Sequence, residues 1–343
     1  MAEREGFEPS IRFCRILTFQ ASAFDHSATA PHVLEPRRLA GRGGVGKLAI
    51  ARGDGAVQDE AMIAPLAALL LAAQAAAPSP TDPIAADWRP IPDDQLLVMT
   101  LAGDRQVVIR LAPGYAPQHV ANVAALARAH WWDGTSVYRV QENWVAQWGD
   151  ASGKKPMPAG VAARPAAEFD IAAFTPAVRM SRPDAYSTAS GITADGWPVA
   201  GNGQAAWLAH CYGTVGVARD SLPDTGAGSE LFTPIGQSAR RLDRNYTIVG
   251  RIISGMEYLS ALPRSTAEMG FYATEAERTP IVSVRLASDL PAATRPHFEY
   301  RAADNPRFAA MVAAKENPKP PTVSLGGANV CDIPLETRRT PGR

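Results

Sequence analysis

Arg139 and Gln147 stand eight residues apart in the stretch 137–150, VYRVQENWVAQWGD, with Trp144 between them. Strand side chains alternate between faces. Two short strands bent at Glu142-Asn143 therefore put Arg139 and Gln147 on one side of a paired antiparallel surface, and the bend lets Trp144 join them. A guanidinium is permanently charged and presents its donors in a rigid plane, and a neighbouring amide can hold it. None of the three is a nucleophile or a strong metal ligand. The chemistry open to them is binding and electrostatic stabilisation beside an aromatic wall.

Other chemistries lack their residues. The six histidines, His26, His32, His119, His130, His210 and His297, show no ligand spacing, so a metal site is not expected. No Gly-x-Ser-x-Gly turn is present for a nucleophilic serine. Residues 41–47, GRGGVGK, nearly spell a phosphate loop, but Leu48 stands where a hydroxyl should hold Mg²⁺ and no strand leads in. Lys and Arg number 34 against 34 Asp and Glu, so nothing suggests a nucleic-acid partner. Aromatics make only 7% while Gly and Pro number 28 and 29, which favours a β-rich fold with long turns.

The elements that must position the trio follow from pattern. Strands are expected at 95–101 and 106–111 across the Gly103-Asp104 turn, then at 136–141, 145–148, 214–218, 231–235, 247–253 and 281–286. Pro117 suits a helix's first turn, with Val120, Val123, Ala124 and Leu126 as its apolar stripe. The fold class expected is mainly β: a closed eight-stranded antiparallel barrel, which removes sheet edges, with two capping helices, a long rim insertion and a C-terminal tail.

Three segments share a family resemblance. WWDGTSVYRV followed by WVAQWGD is similar to the cyclophilin signature Y-Y-D/N-G-x-x-F-H-R-V/I … F-M-x-Q-G-G-D. Val217-Ala218-Arg219, a turn-rich loop and Ser229-Glu230-Leu231-Phe232 resemble its second motif. Leu242-Asp243-Arg244-Asn245-Tyr246 through Ile252, then Gly255-Met256-Glu257 opening a helix, resemble its third. By resemblance the chain is identified as a member of the cyclophilin-type peptidyl-prolyl cis-trans isomerases over residues 94–289.

The resemblance implies an enzyme that turns X-Pro bonds without any cofactor, acting on proline-containing unfolded or extended polypeptides. Arg139 would be the cation near the prolyl nitrogen, and Gln147 would orient it and the substrate carbonyl. Tyr138, Trp144, Val145, Ala218, Arg219, Glu230, Phe232, Leu242 and Tyr246 would bind substrate, Arg219 through its backbone. The alternative is a module that binds such peptides without catalysis. The chain departs from the family at several edges: Tyr138 replaces His, Val145 replaces Met, Glu230 replaces Gln, and Tyr246 replaces a His. Arg241 stands where cyclosporin-binding members carry Trp. Residues 151–213 exceed the length the resemblance implies; Glu168-Phe169 resembles a short family strand, and 171–209 is expected as an insertion at the barrel rim.

The ends carry their own expectations. Gly6-Phe7-Glu8-Pro9-Ser10 back-translates to a run resembling the T-arm of transfer-RNA genes, so residues 1–61 are expected as a spurious or disordered leader and Met62 as the truer start. The apolar run 63–73 is too short to span a bilayer. It has the length of a signal-peptide core within 62–77, with cleavage after Ala75 and export to the periplasm, the alternative being the cytoplasm. No stable membrane insertion is expected, and the protein is expected as a monomer. Residues 78–93 read as a Pro-rich linker, and 290–343 as an extension with one short helix opened by Asn305-Pro306. Cys211 and Cys331 either pair or stay as buried thiols.

Overall fold

Leu96–Leu101 is apolar nearly throughout, and the reason is that both of its faces are covered. Leu97, Met99 and Leu101 point into one large core, while Leu96 and Val98 pack outward against Ile91 and Phe298. The structure, a computed structural model, describes residues 79–323 and 326–342. The leader, signal-peptide and phosphate-loop expectations lie outside those residues.

In chain order the first elements are β1 (Trp88–Pro90), β2 (Leu96–Leu101), β3 (Arg105–Leu111), α1 (Pro117–Arg128), β4 (Ser136–Val140) and β5 (Val145–Gly149). The middle of the chain forms β6 (Val178–Arg179), β7 (Ala189–Ile192), β8 (Pro198–Gly201) and β9 (Ala206–Leu208). Then come β10 (Thr214–Val217), β11 (Leu231–Pro234), β12 (Ile248–Ser254), α2 (Glu257–Ser260) and β13 (Thr279–Leu286). The chain closes with β14 (Phe298–Arg301), α3 (Pro306–Glu316) and β15 (Thr337–Arg339).

Eight strands close an antiparallel barrel in the order β10-β11-β5-β4-β13-β2-β3-β12, and they are the eight expected from the sequence. The Gly103-Asp104 turn joins β2 to β3 with both residues at positive φ, 78° and 56°. Val120, Val123 and Leu126 of α1 pack into the barrel core. The first turn of α1 is capped by Glu168, whose carboxylate accepts from the backbone N–H of Gln118 and His119 at 2.9 and 3.0 Å. Glu168-Phe169 forms no strand, contrary to the sequence expectation. An acidic residue serves better at a helix N-terminus, where unpaired N–H groups meet it.

The insertion is built, not loose. β6 to β9 form a four-stranded sheet in sequential order, and its alternate residues serve two cores. Val199 and Leu208 face Ala112 and Ile248 on the barrel side, while Ile192, Ala200 and Trp207 face Phe308, Met311 and Val312 of α3. The tail therefore covers the insertion. Arg110 on β3 sits between the rings of Trp197 and Tyr300, 5.0 and 4.1 Å from their centroids. It donates to the carbonyl of Asp195 at 2.7 Å, and Arg251 on β12 donates to the carbonyl of Leu335 at 3.0 Å.

The expected linker contributes β1, which pairs with β14, and β15 adds to the other side of β14. Backbone that reads as extended and proline-rich is thus paired rather than free. Cys211, just before β10, is joined by a disulfide to Cys331 across 120 residues of sequence.

Candidate active site

Arg139 on β4 pairs directly with Gln147 on β5, and a bulge between Val137 and Arg139 leaves Tyr138 as the extra residue. A bulge re-aims side chains that strict alternation would send apart. Tyr138 and Arg139, though adjacent, both line one groove of about 590 Å³. Trp144, Val145, Gln147, Ala218, Arg219, Glu230, Phe232, Leu242 and Tyr246 line it too. The structure thus brings every sequence-predicted site residue to one cavity.

One end of the groove is apolar. Val145, Phe232, Leu242 and Tyr246 form a buried cluster, flanked by half-buried Trp144 and Ala218. Phe232 and Tyr246 meet edge to face, 5.4 Å between centroids and 85° between planes. The Phe232 ring can lie here because Gly216, opposite it on β10, has no Cβ; one built there would run into the ring. Arg219 donates to the carbonyl of Asn245 at 2.8 Å and holds its guanidinium 5.0 Å from the Tyr246 ring.

The other end is polar and ordered. Arg139 is only 1% exposed, and its guanidinium is held by three acceptors. Nε donates to the carbonyl of Met269 at 2.7 Å, Nη1 to Gln147 Oε1 at 3.0 Å and Nη2 to Gln141 Oε1 at 2.6 Å. The Phe271 ring lies 5.0 Å from its centre and stacks on Tyr138 at 6.0 Å. Gln147 Nε2 donates to the Tyr138 hydroxyl at 2.6 Å. Gln147 thus engages Arg139 and Tyr138 first. One hydrogen of its amide remains for a further acceptor.

The Tyr138 hydroxyl donates to Glu230 Oε2 at 2.6 Å, and Glu230 Oε1 accepts from the backbone N–H of Asp150 at 2.8 Å. The Glu230 residue is half-buried, but its carboxyl fills the space that a Cβ on Gly149 would need. Burial pushes the Glu230 carboxyl up to about 7, against the hydrogen bonds from Tyr138 and Asp150, with the like charge of Asp150 adding to the rise. Burial likewise holds the Tyr138 hydroxyl well above its ordinary value, helped by the Glu230 charge. Burial alone would raise Asp150, but backbone N–H donors led by Lys155, with Ser152, hold it below the usual range. Its carboxylate accepts from the backbone N–H groups of Ser152, Lys154 and Lys155 and so closes the turn that follows β5.

Met269, Phe271, Tyr272 and Gln141 were not found by sequence reasoning. Phe271 and Tyr272 line the groove, and they arrive on the connection after α2, where Met269 and Gly270 take positive φ of 56° and 79°. No motif marks that connection; its aromatic pair after a glycine is the one available signal. Behind Phe232 lies His210, buried and stacked on it, and Asp243 accepts from the backbone N–H of His210 at 2.8 Å. Among the described residues no group of three or more His, Cys, Asp or Glu side chains is placed to hold a metal ion. No helix among them is long and apolar enough to cross a membrane.

The comparisons with known proteins concern the barrel that carries this groove. Residues 96–286 match the family described as cyclophilin type peptidyl-prolyl cis-trans isomerase/CLD. A probable peptidyl-prolyl cis-trans isomerase of Brucella suis biovar 1 is 27% identical over 179 residues, covering 52% of this chain and 77% of the relative. Its counterpart in Brucella abortus strain 2308 is 26% identical over the same length, with the same coverage of 52% and 77%. The crystal structure of a cyclophilin from Hirschia baltica superposes with a TM-score of 0.57 at 24% identity, covering 74% of this chain and 93% of that one.

Proposed function

The chain belongs to the cyclophilin-type peptidyl-prolyl cis-trans isomerases, and from that premise we propose that it isomerises X-Pro bonds by electrostatic stabilisation of the twisted amide with Arg139. Amide resonance sets a barrier of about 18–20 kcal/mol, and an enzyme lowers it by binding the twisted form better than either planar one. The cluster of Val145, Phe232, Leu242 and Tyr246 holds the prolyl ring. Arg139 draws the prolyl nitrogen's lone pair out of conjugation while the preceding carbonyl turns. The observation that carries this reading is the guanidinium fixed by Met269, Gln147 and Gln141 beside an apolar pocket, since preorganised charge needs no reorganisation as the bond twists.

The test is a protease-coupled isomerisation assay on an Xaa-Pro peptide. Arg139→Ala should cut kcat/KM by roughly 10²-fold, about 2.7 kcal/mol of transition-state stabilisation. Because three acceptors lose their donor, the variant should also lose about 1–3 kcal/mol of stability, so folding is measured in parallel. Activity equal to the natural protein's would remove Arg139 from the mechanism, and peptide binding with no acceleration in the natural protein would favour the binding-only module.

The clients we propose are unfolded or extended polypeptides containing proline, met by a monomer after export to the periplasm. The apolar run 63–73 supports export. So does the Cys211–Cys331 disulfide, which fits an oxidising compartment. N-terminal sequencing of the envelope fraction should find a start near Ala76; intact protein in the cytoplasm beginning at Met1 would sink this reading.

A further inference from the structure

Glu230 stands where the resemblance implies a glutamine, and it closes a hydrogen-bond chain that ends on Arg139. Glu230 Oε2 accepts from the Tyr138 hydroxyl at 2.6 Å. The Tyr138 oxygen accepts from Gln147 Nε2 at 2.6 Å. Gln147 Oε1 accepts from Arg139 Nη1 at 3.0 Å. The carboxylate is fixed at its far oxygen by the backbone N–H of Asp150, 2.8 Å away, and it is packed against Gly149.

The direction of every bond in this chain follows from the carboxylate. An ionised carboxylate only accepts, and a phenol has one proton to give. Tyr138 therefore points its proton at Glu230 and turns its oxygen toward Gln147. The Gln147 amide must then present its NH₂ to Tyr138, which leaves its oxygen facing Arg139. A proton on Glu230 reverses this order. Oε1 is occupied by the Asp150 N–H, so the proton sits on Oε2 and donates to the Tyr138 oxygen. Tyr138, its oxygen now accepting from Glu230, is released to send its own proton to Gln147, already 2.6 Å away, which accepts only through its amide oxygen. The amide turns over, and its NH₂ meets the guanidinium donor against donor.

Resting on the reading that Arg139 is the electrostatic group, we propose that Glu230, acting through Tyr138, is a positioning residue: ionised, it sets the amide orientation of Gln147 and so the aim of Arg139, and protonated, it releases that aim. The groups facing its carboxyl are Tyr138 and, one bond beyond, Gln147 and Arg139 from β4 and β5, with Asp150 at the end of β5. Burial places its titration at about 7, and Tyr138 keeps its proton through that range because its own hydroxyl is held well above the ordinary value.

The experiment follows the Gln147 side-chain amide by NMR across pH, with kcat/KM measured in parallel. In the natural protein the amide resonances should titrate near pH 7, and kcat/KM should fall about tenfold on the acid side, the scale of one hydrogen bond to a charged group. Glu230→Gln carries an NH₂ where the acid carries its proton, so its amide should not titrate and its kcat/KM should stay flat near the acid plateau. Tyr138→Phe cuts the chain and should be flat in both readouts. A Gln147 amide that does not respond to pH in the natural protein overturns the proposal, as does an acid limb that persists in Glu230→Gln. Arg139→Ala separates this failure from that of the mechanism: full activity there removes Arg139 from the reaction, while the amide titration still reports on the chain from Glu230 to Gln147.

Discussion

His210 and Phe232 lie face to face, 6.3 Å between ring centroids and 6° between planes. Phe232 walls the groove from its accessible side, while His210 is fully buried, next in sequence to the disulfide-bonded Cys211. The apolar end of the groove is therefore backed by the segment that ties the insertion to the barrel. Its rigidity depends on a residue buried behind the wall and outside the groove.

His210→Ala should leave a void behind Phe232. Truncating a buried ring costs about 3–5 kcal/mol in well-packed cores, and this variant should fall at or just below that range. KM should rise while kcat holds, because the wall loosens but Arg139 stays. Denaturant unfolding together with the peptide assay checks it, and an unchanged KM would detach His210 from the pocket.

The disulfide should matter for stability out of proportion to its size. Cys211 and Cys331 are 120 residues apart, and closing so long a loop is worth up to about 5 kcal/mol in the chain-entropy picture. Cys331→Ser should lower stability by about 2–4 kcal/mol. Equal denaturation midpoints for the two proteins would contradict this.

Glu230 should make the protein less stable as pH rises. Its folded pKa, about 7, lies above its ordinary 4.5. A raised carboxyl favours the fold fully below the unfolded value, and that advantage is lost as pH climbs through the folded one. The stability of Glu230→Gln relative to the natural protein should therefore shift by up to about 3 kcal/mol in the variant's favour between pH 4 and pH 8. Parallel stability curves across that range would refute the link.

Arg240 and Arg241 point opposite ways. Arg240 is buried and donates to Asp243 and Asp184 at 2.7 and 2.6 Å, which leaves Arg241 exposed beside Leu242. The resemblance puts a tryptophan at this rim in members that bind cyclosporin. An indole offers a large apolar face and one donor, whereas an arginine covered by an apolar cyclic peptide loses hydration. Inhibition of the natural protein by cyclosporin A should be weak, and Arg241→Trp should tighten it. Titrating both with the drug decides, and strong inhibition of the natural protein would show that Arg241 does not occupy that rim.

The barrel was legible in the sequence because its strands carry local marks: apolar runs, the Gly103-Asp104 turn, and motifs that fix Arg139, Gln147, Phe232 and Leu242 at set spacings. The insertion was not legible. Its strands are two to four residues long, and their partners on α3 lie about a hundred residues away, so no local period records them. The same limit applies at the site. Sequence alone placed Arg139 and Gln147 on one face by alternation, but the bulge that turns Tyr138 to the same groove arises from pairing between β4 and β5. Met269, Phe271 and His210 reach the site from distant segments, and nothing in their neighbours announces it. The candidate residues of the groove were determined locally; how firmly each is held was decided by contacts between segments far apart in the chain.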